Sequence, residues 1–240
     1  IMRKNYLFLA EIAVCTIMLA SVNPKRDSDL IAWPNFDEHQ KQTNGRDWIA
    51  LASHYGCWEY FMLYSWSNPN CRMLGVYHPL RSAIFEELYQ RFRNLAPNID
   101  QVAMKNCIRH YIRHRGEERP IALGLISDQS PILRPDTEWI EFFGQPTAFI
   151  DGGEKIAMKF RIPAYFTRID RVAVGRYAVT FEEVFDGEEQ VEEWEITRRY
   201  AERLETMIRR RPELWLWSHN RWRHTPEKQA KRFGKSTLKE

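Results

Sequence analysis

The chain has 240 residues, 44% of them hydrophobic and 28% charged, which suits one large α/β domain or two small ones. A net charge of +3 is too small to argue nucleic-acid binding from composition. Four cysteines without CxxC or His/Cys ligand spacing indicate neither a disulfide framework nor a zinc site and fit a reducing compartment.

The stretch from Tyr6 to Val22 is mostly apolar but interrupted by Glu11, and it predicts a helix over 5–21. At 1.5 Å per residue it reaches roughly 25 Å, short of the ~30 Å hydrocarbon core. A carboxylate in mid-span is also costly in lipid. The segment therefore reads as an amphipathic or buried helix, and it has no signal-peptide cleavage site. A chain that begins at Ile1 and enters a helix at once is expected to be a fragment that lacks its upstream portion.

Pro24 and Pro34 bracket a loop, and Asn35 to Thr43 predicts a short helix capped by Asn35 and stopped at Asn44-Gly45. The apolar run 48–53 is a buried strand ending at His54. A glycine turn at Gly56 leads into an aromatic-rich helix over 57–66, with Glu59 near its start. Arg72–Tyr77 predicts a strand, and apolar positions 84, 85, 88, 92 and 95 mark a helix over 80–95. A short strand near 99–104 precedes a helix over 105–115 with a basic face (Arg109, Arg113, Arg115).

Ile121 to Ile126 is a fully apolar run that empties into the polar loop Ser127-Asp128-Gln129-Ser130-Pro131. The segment Trp139 to Phe143, a helix at 152–161, strands at 164–169 and 177–185 and a helix at 193–210 complete the pattern. Strands alternate with helices, without internal repeat or low-complexity linker. This predicts a single α/β domain with a central, mostly parallel or mixed sheet flanked by helices. From Arg221 to Glu240 there are seven Lys/Arg against two Glu. That basic tail is expected to be solvated, and it can also meet anionic head groups or an acidic protein.

Three polar clusters fall where apolar strands end: His54–Glu59, His78–Arg81 and Asp128. Ligands of open α/β sheets bind at such carboxyl ends. An imidazole and a carboxylate at a strand-to-helix turn suit general-base activation of a hydroxyl. His-x4-Glu alone is a weak signal, since about one chance match is expected in a chain of this composition. No Gly-x-Ser-x-Gly elbow is present, and Asp151-Gly-Gly-Glu is not followed by the Gly-Lys-Ser/Thr of a phosphate loop. Cys57 is a candidate nucleophile by residue type, but a small buried residue by context.

Five motifs occur together and in order over roughly residues 45–226: Ser53 to Glu59, Gly75 to Pro79, Ser127 to Ser130, Phe142 to Ala148, and Trp215 to Arg221. In these the chain resembles the bacterial lipid A biosynthesis (lauroyl/myristoyl) acyltransferases, and most closely their lysophospholipid acyltransferase-like members. It departs from the family pattern at Cys57, usually a small polar residue, at His78, usually Arg, and at Asn220, usually basic.

The resemblance implies a glycerolipid-acyltransferase-like fold at the cytoplasmic face of the inner membrane, with the family's N-terminal membrane helix missing from this chain. It implies transfer of a fatty acyl group from acyl carrier protein to a hydroxyl of a lipid A precursor, with His54 and Glu59 as the catalytic pair. In that scheme His54 is the base and Glu59 orients it. Tyr77, His78, Arg93 and Asp128 are the substrate-binding candidates, while His219 and Arg221 read as structural or carrier-facing. No metal, cofactor or nucleic acid is expected; the partners are acyl carrier protein, a glycolipid or lipid acceptor and the membrane surface. Residues 1–44 are expected to be an N-terminal helical region, 45–226 the acyltransferase domain and 227–240 the tail. The competing readings are a lysophospholipid or aminolipid acyltransferase, and a catalytically idle membrane-binding homologue.

Overall fold

A computed structural model of the chain describes residues 2–23, 25–79, 82–93 and 96–234. Helix α1 spans Met2–Met18 and runs on into a 3₁₀ turn at Leu19–Ser21. The two-residue strand β1 (Ile31–Ala32), helix α2 (Phe36–Thr43) and strand β2 (Trp48–Ala52) follow. A 3₁₀ helix over Trp58–Leu63 leads into the short α3 (Tyr64–Ser67), then β3 (Arg72–Tyr77), α4 (Ala83–Arg93) and β4 (Ile99–Ala103). Next come α5 (Cys107–His114), β5 (Ile121–Ile126), β6 (Trp139–Phe142) and β7 (Gln145–Ala148). The chain closes with α6 (Gly152–Phe160), β8 (Ala164–Ala173), β9 (Arg176–Phe185), α7 (Glu195–Arg210) and α8 (Pro226–Phe233).

Seven strands form one sheet in the order β1-β9-β8-β2-β5-β3-β4, while β6 and β7 make a separate hairpin. Every pairing in the large sheet is parallel except β8 with β9. This is the expected single-domain, mostly parallel α/β architecture. Its central strands are apolar throughout because helices cover both faces: all five residues of β2 are buried. The β3-to-β4 and β4-to-β5 connections run in opposite directions across the sheet. Right-handed crossovers therefore put α4 and α5 on opposite faces. Tyr111 of α5 packs edge-on against Phe160 of α6 at 5.0 Å, so these two helices share a face.

Several expectations are refined. The segment after His54 winds as a 3₁₀ helix rather than a regular α-helix. Glu59 through Leu63 are all buried, so it has no solvent face around which an amphipathic α-helix would turn. Strands β8 and β9 extend to the two-residue turn Val174-Gly175, where Gly175 takes φ +70°. Asn35 stands at the N-cap position of α2, its carbonyl accepting the His39 amide at 2.9 Å, but its side chain does not cap the helix. Its amide exchanges hydrogen bonds with the backbone of Phe181 at 2.8 and 3.1 Å, as a strand neighbour would. Asn44 does close α2, in the left-handed conformation. Part of the basic tail is helical: Thr225 caps α8, and Gln229 is buried with its amide on the carbonyls of Arg134, Pro135 and Thr137. Pro24, Leu80, Arg81, Leu95, residues 235–240 and the side chains of Phe85 and Phe92 lie outside the described residues.

Helix α1 through Ser21 is long and apolar enough to cross a membrane by length and composition. Here it lies on the domain. The Glu11 carboxylate receives Arg171 at 2.6 and 3.0 Å, the Gly175 amide at 2.9 Å and the Tyr177 hydroxyl at 2.8 Å. Burial pushes the Glu11 carboxyl up, but these donors outweigh it and hold it below the usual range.

Beneath α2 the fully buried His39 sits in an aromatic cage. It stacks on Phe181 at 4.1 Å and meets Trp48 and Tyr165 edge-on at 4.4 and 4.5 Å. Neither ring nitrogen has a hydrogen-bond partner. Burial lowers its pKa to about 3, so the folded protein holds the neutral ring, while an unfolded chain takes a proton below about 6.5. Its contribution is therefore complete above about pH 6.5 and is lost as pH falls toward 3, with roughly 2 kcal/mol gone by pH 5. Replacing His39 by Phe is expected to flatten the fall in melting temperature between pH 7 and pH 5. Calorimetry that gives equal slopes for the two proteins would refute this account.

Candidate active site

The site is built by register. Strands β2 and β5 are parallel neighbours with Ala52 opposite Ile126. Two residues past Ala52 is His54, and two past Ile126 is Asp128. The strands continue one step further, because the Ser127 amide bonds the Ala52 carbonyl at 3.0 Å. Side chains at equal distances beyond two paired strand ends stand about one strand spacing apart. His54 Nδ1 and Asp128 Oδ1 are 2.7 Å apart, and the His54 amide donates to Oδ2 at 3.0 Å.

The buried Trp215 adds a third donor, its Nε1–H reaching Asp128 Oδ2 at 2.8 Å. Burial pushes the Asp128 carboxyl up, but His54 and Trp215 more than offset this and hold it below the ordinary carboxylate range. An ionised carboxylate on Nδ1 fixes the tautomer that carries Nδ1–H and leaves a lone pair on Nε2. That second nitrogen faces the side chain of Gln129, 3.3 Å from its Nε2. The edge of Trp58 closes one side of the ring, with centroids 5.0 Å apart.

The carboxylate that orients His54 is thus Asp128, not Glu59. Glu59 is buried in the first 3₁₀ turn, and both of its oxygens go to Arg93 at the end of α4, at 2.9 and 2.5 Å. Arg93 also lies over the rings of Tyr77 and Tyr89, at 5.9 and 5.2 Å. Burial alone would lower the Arg93 pKa; the Glu59 carboxylate raises it instead. Three of the sequence candidates, Glu59, Arg93 and Tyr77, therefore form one cluster beside β3, and two others, His54 and Asp128, form a second at β2 and β5. His78 is exposed, with its Nδ1 3.2 Å from the carbonyl of its neighbour Pro79.

The end motif locks the site. Residues 214–216 run beside 54–56 through the Gly56 amide on the Leu214 carbonyl (2.9 Å) and the Leu216 amide on the His54 carbonyl (3.0 Å). Gly56 is required there: it has φ +58°, and a Cβ would stand 2.7 Å from Ile169. His219 Nε2 accepts the Ser130 amide at 3.0 Å, and the Ser130 hydroxyl donates to the Arg221 carbonyl at 2.5 Å. Arg221 is itself buried, donating to the Ala148 carbonyl at 2.7 Å and lying 4.3 Å from the Phe149 ring centroid; burial pushes its pKa down to about 10.

Trp215 and Gln129 carry contacts to the dyad that residue-type reasoning assigned to neither. The only sequence signal for them is their membership in the ordered motifs. Cys57 is buried beside Cys15, and burial pushes its thiol far up, so it is held as a neutral packing residue. Among the described residues no group of three or more His, Cys, Asp or Glu side chains is arranged to hold a metal ion.

Comparison with protein families matches residues 1–224 to the family described as "Bacterial lipid A biosynthesis acyltransferase". No curated protein matches the chain.

The buried Glu59–Arg93 pair has a measurable consequence. Removing the cation by Arg93→Met leaves a carboxylate stranded in the core and is expected to cost about 3 kcal/mol of stability. Adding Glu59→Leu to that variant is expected to restore most of the loss in a denaturant titration. If the double variant is as unstable as the single one, the carboxylate is not what the guanidinium compensates.

Proposed function

Because the chain belongs to the bacterial lipid A biosynthesis acyltransferase family, and is thereby an acyltransferase, we propose that it moves a fatty acyl group from acyl carrier protein to a hydroxyl of a lipid A precursor, with His54 as general base. The observation that carries this reading is the Asp128–His54 contact at the carboxyl ends of β2 and β5, which leaves on Nε2 the lone pair that a general base needs.

In the proposed step the acceptor O–H gives its proton to His54 Nε2 while the oxygen attacks the thioester carbon. The C–O bond forms and the carbonyl becomes a tetrahedral oxyanion. Collapse breaks the C–S bond, and the departing thiolate takes the proton back from the imidazolium. Asp128 holds the ring and stabilises its charged form, as carboxylates do in hydrolytic triads. Glu59 acts through Arg93: it fixes the guanidinium so that the N–H groups not bound to Glu59 can meet an anionic group of the substrate. Tyr77 packs on that guanidinium, and His78, exposed just beyond it, contributes at the rim.

Two surfaces suit the two substrates. Helix α1 exposes Met2, Tyr6, Leu7, Val14, Ile17 and Met18, an apolar stripe suited to the membrane surface that would hold the lipid acceptor at the cytoplasmic face. Its Asn5 donates to the carbonyls of Glu213 and Trp215, so the stripe borders the site. On the sheet face opposite α4, α5 and the turn before it expose Lys105, Arg109 and Arg113 beside Met104, Ile108 and Ile112, with no acidic residue between 101 and 116. A basic and apolar face of this kind complements an acidic carrier.

The reading is tested by incubating the protein with labelled acyl carrier protein and a lipid A precursor, and following the product by mass spectrometry. His54→Ala and Asp128→Asn are expected to reduce transfer by about 10³-fold or more. Near wild-type turnover by either variant overturns the mechanism. Lys105→Glu, Arg109→Glu and Arg113→Glu together are expected to raise KM for the carrier-borne donor about tenfold. Transfer from an acyl-pantetheine thioester should not change, since that donor has no protein to dock. An equal effect on both donors removes α5 from the carrier's path.

A further inference from the structure

We propose that Gln129 is a catalytic residue, the side-chain donor that binds the oxyanion of the tetrahedral intermediate. The inference rests on the acyl-transfer reading above and goes beyond it by naming the group that stabilises the developing charge.

The geometry is specific. With Nδ1–H committed to Asp128, His54 Nε2 carries a lone pair, and the group nearest that lone pair is the Gln129 carboxamide, 3.3 Å away. An amide N–H donating to the lone pair that must accept a proton opposes catalysis while the site is empty. Displacing it costs only about 1 kcal/mol, the net worth of a neutral hydrogen bond. The attacking hydroxyl has to occupy this place, because only there can it give its proton to Nε2. Once it does, the displaced carboxamide stands beside the new C–O bond, within hydrogen-bond reach (about 3 Å) of the place where the former carbonyl oxygen gathers charge. A neutral donor held at the site and released beside the developing charge supplies the hydrogen bond that oxyanion stabilisation needs.

Both neighbours of Gln129 are anchored, Asp128 through its carboxylate and Ser130 through its amide and its hydroxyl. Asp128 is held by three donors from His54 and Trp215. Ser130 is held through its amide by His219 and through its hydroxyl by Arg221. The Gln129 side chain is half-buried, and the Nε2 contact with His54 is its hydrogen bond at the site. A single side-chain contact between two anchored neighbours combines preorganisation with the movement the step needs. The carboxamide also adapts to the protonated ring: its N–H faces neutral Nε2, and its carbonyl oxygen can face Nε2–H.

Gln129→Ala and Gln129→Glu test the proposal, with the acyl-carrier assay as readout. Glutamate keeps the length of the side chain but removes both N–H donors. Both variants are expected to lose about 10²- to 10³-fold in kcat, with KM for the acceptor within threefold of wild type and an unchanged melting temperature. A kcat within threefold of wild type for Gln129→Ala, or a loss confined to the acceptor's KM, overturns the assignment. If the alanine variant melts early, the glutamate variant decides. An inactive wild-type protein would overturn the acyl-transfer reading itself, whereas an active Gln129→Ala enzyme beside an active wild type overturns only the role of Gln129.

Discussion

A buried carboxylate is the constraint around which this molecule is arranged. Asp128 is almost fully excluded from water, and an ionised group there is tolerable only if its oxygens are fully met. Three donors meet it: the imidazole and the amide of His54 and the indole of Trp215. They come from two separate stretches, the end of β2 and the segment near residue 215, and converge on a third, Asp128's own loop after β5. Each of those stretches has to be in place before the charge is satisfied. The register of β2 against β5 supplies the first contact, and the pairing of 214–216 with 54–56 supplies the last. The carboxylate thus binds the carboxyl-terminal segment to the centre of the sheet, while the same contacts set the tautomer of the histidine.

The two acidic residues of the site divide their work by environment. Glu59 and Asp128 are both buried, yet one is neutralised by a guanidinium and the other by an imidazole and an indole. An arginine stays charged at any working pH, so the Glu59–Arg93 pair is static and can act only by placing its remaining N–H groups. The Asp128–His54 pair instead joins a carboxylate to a ring whose second nitrogen, Nε2, lies clear of it. Which acid meets the imidazole is decided by where the chain returns, not by distance along it.

Much of this was legible in the sequence, and the limits are physical. The apolar runs 48–53 and 121–126 have no polar position, which marks them as central strands, and the polar residues just beyond them mark the site. Local spacing, however, pairs His54 with Glu59, five residues away. What decides the contact is a strand pairing between residues 74 apart, which no local pattern encodes. Trp215 and Gln129 were invisible for the same reason: their roles follow from where the chain returns. The segment after Cys57 was legible as a helix but not as a 3₁₀ winding, because every residue from Glu59 to Leu63 is buried and leaves no periodicity to tell the two apart. Helix α8 escaped because a run of basic residues reads as solvated tail, whereas one glutamine, Gln229, ties it down through three carbonyls.

Helix α1 shows how a single polar residue changes the meaning of an apolar segment. By hydropathy it passes as a membrane span. Glu11 converts it into a helix with two different sides: one clamped to Arg171, Gly175 and Tyr177, the other lined with exposed apolar side chains. In a lipid interior that carboxylate would have no donors, and the four contacts that satisfy it come from the β8–β9 hairpin. The clamp therefore fixes which way the apolar stripe faces. Asn5, on the same helix, donates to the Trp215 carbonyl, and the Trp215 indole donates to Asp128. The surface proposed to meet lipid is consequently one residue removed from the carboxylate that orients His54, which is the coupling an enzyme needs when its acceptor stays in the bilayer and only one hydroxyl has to reach the base.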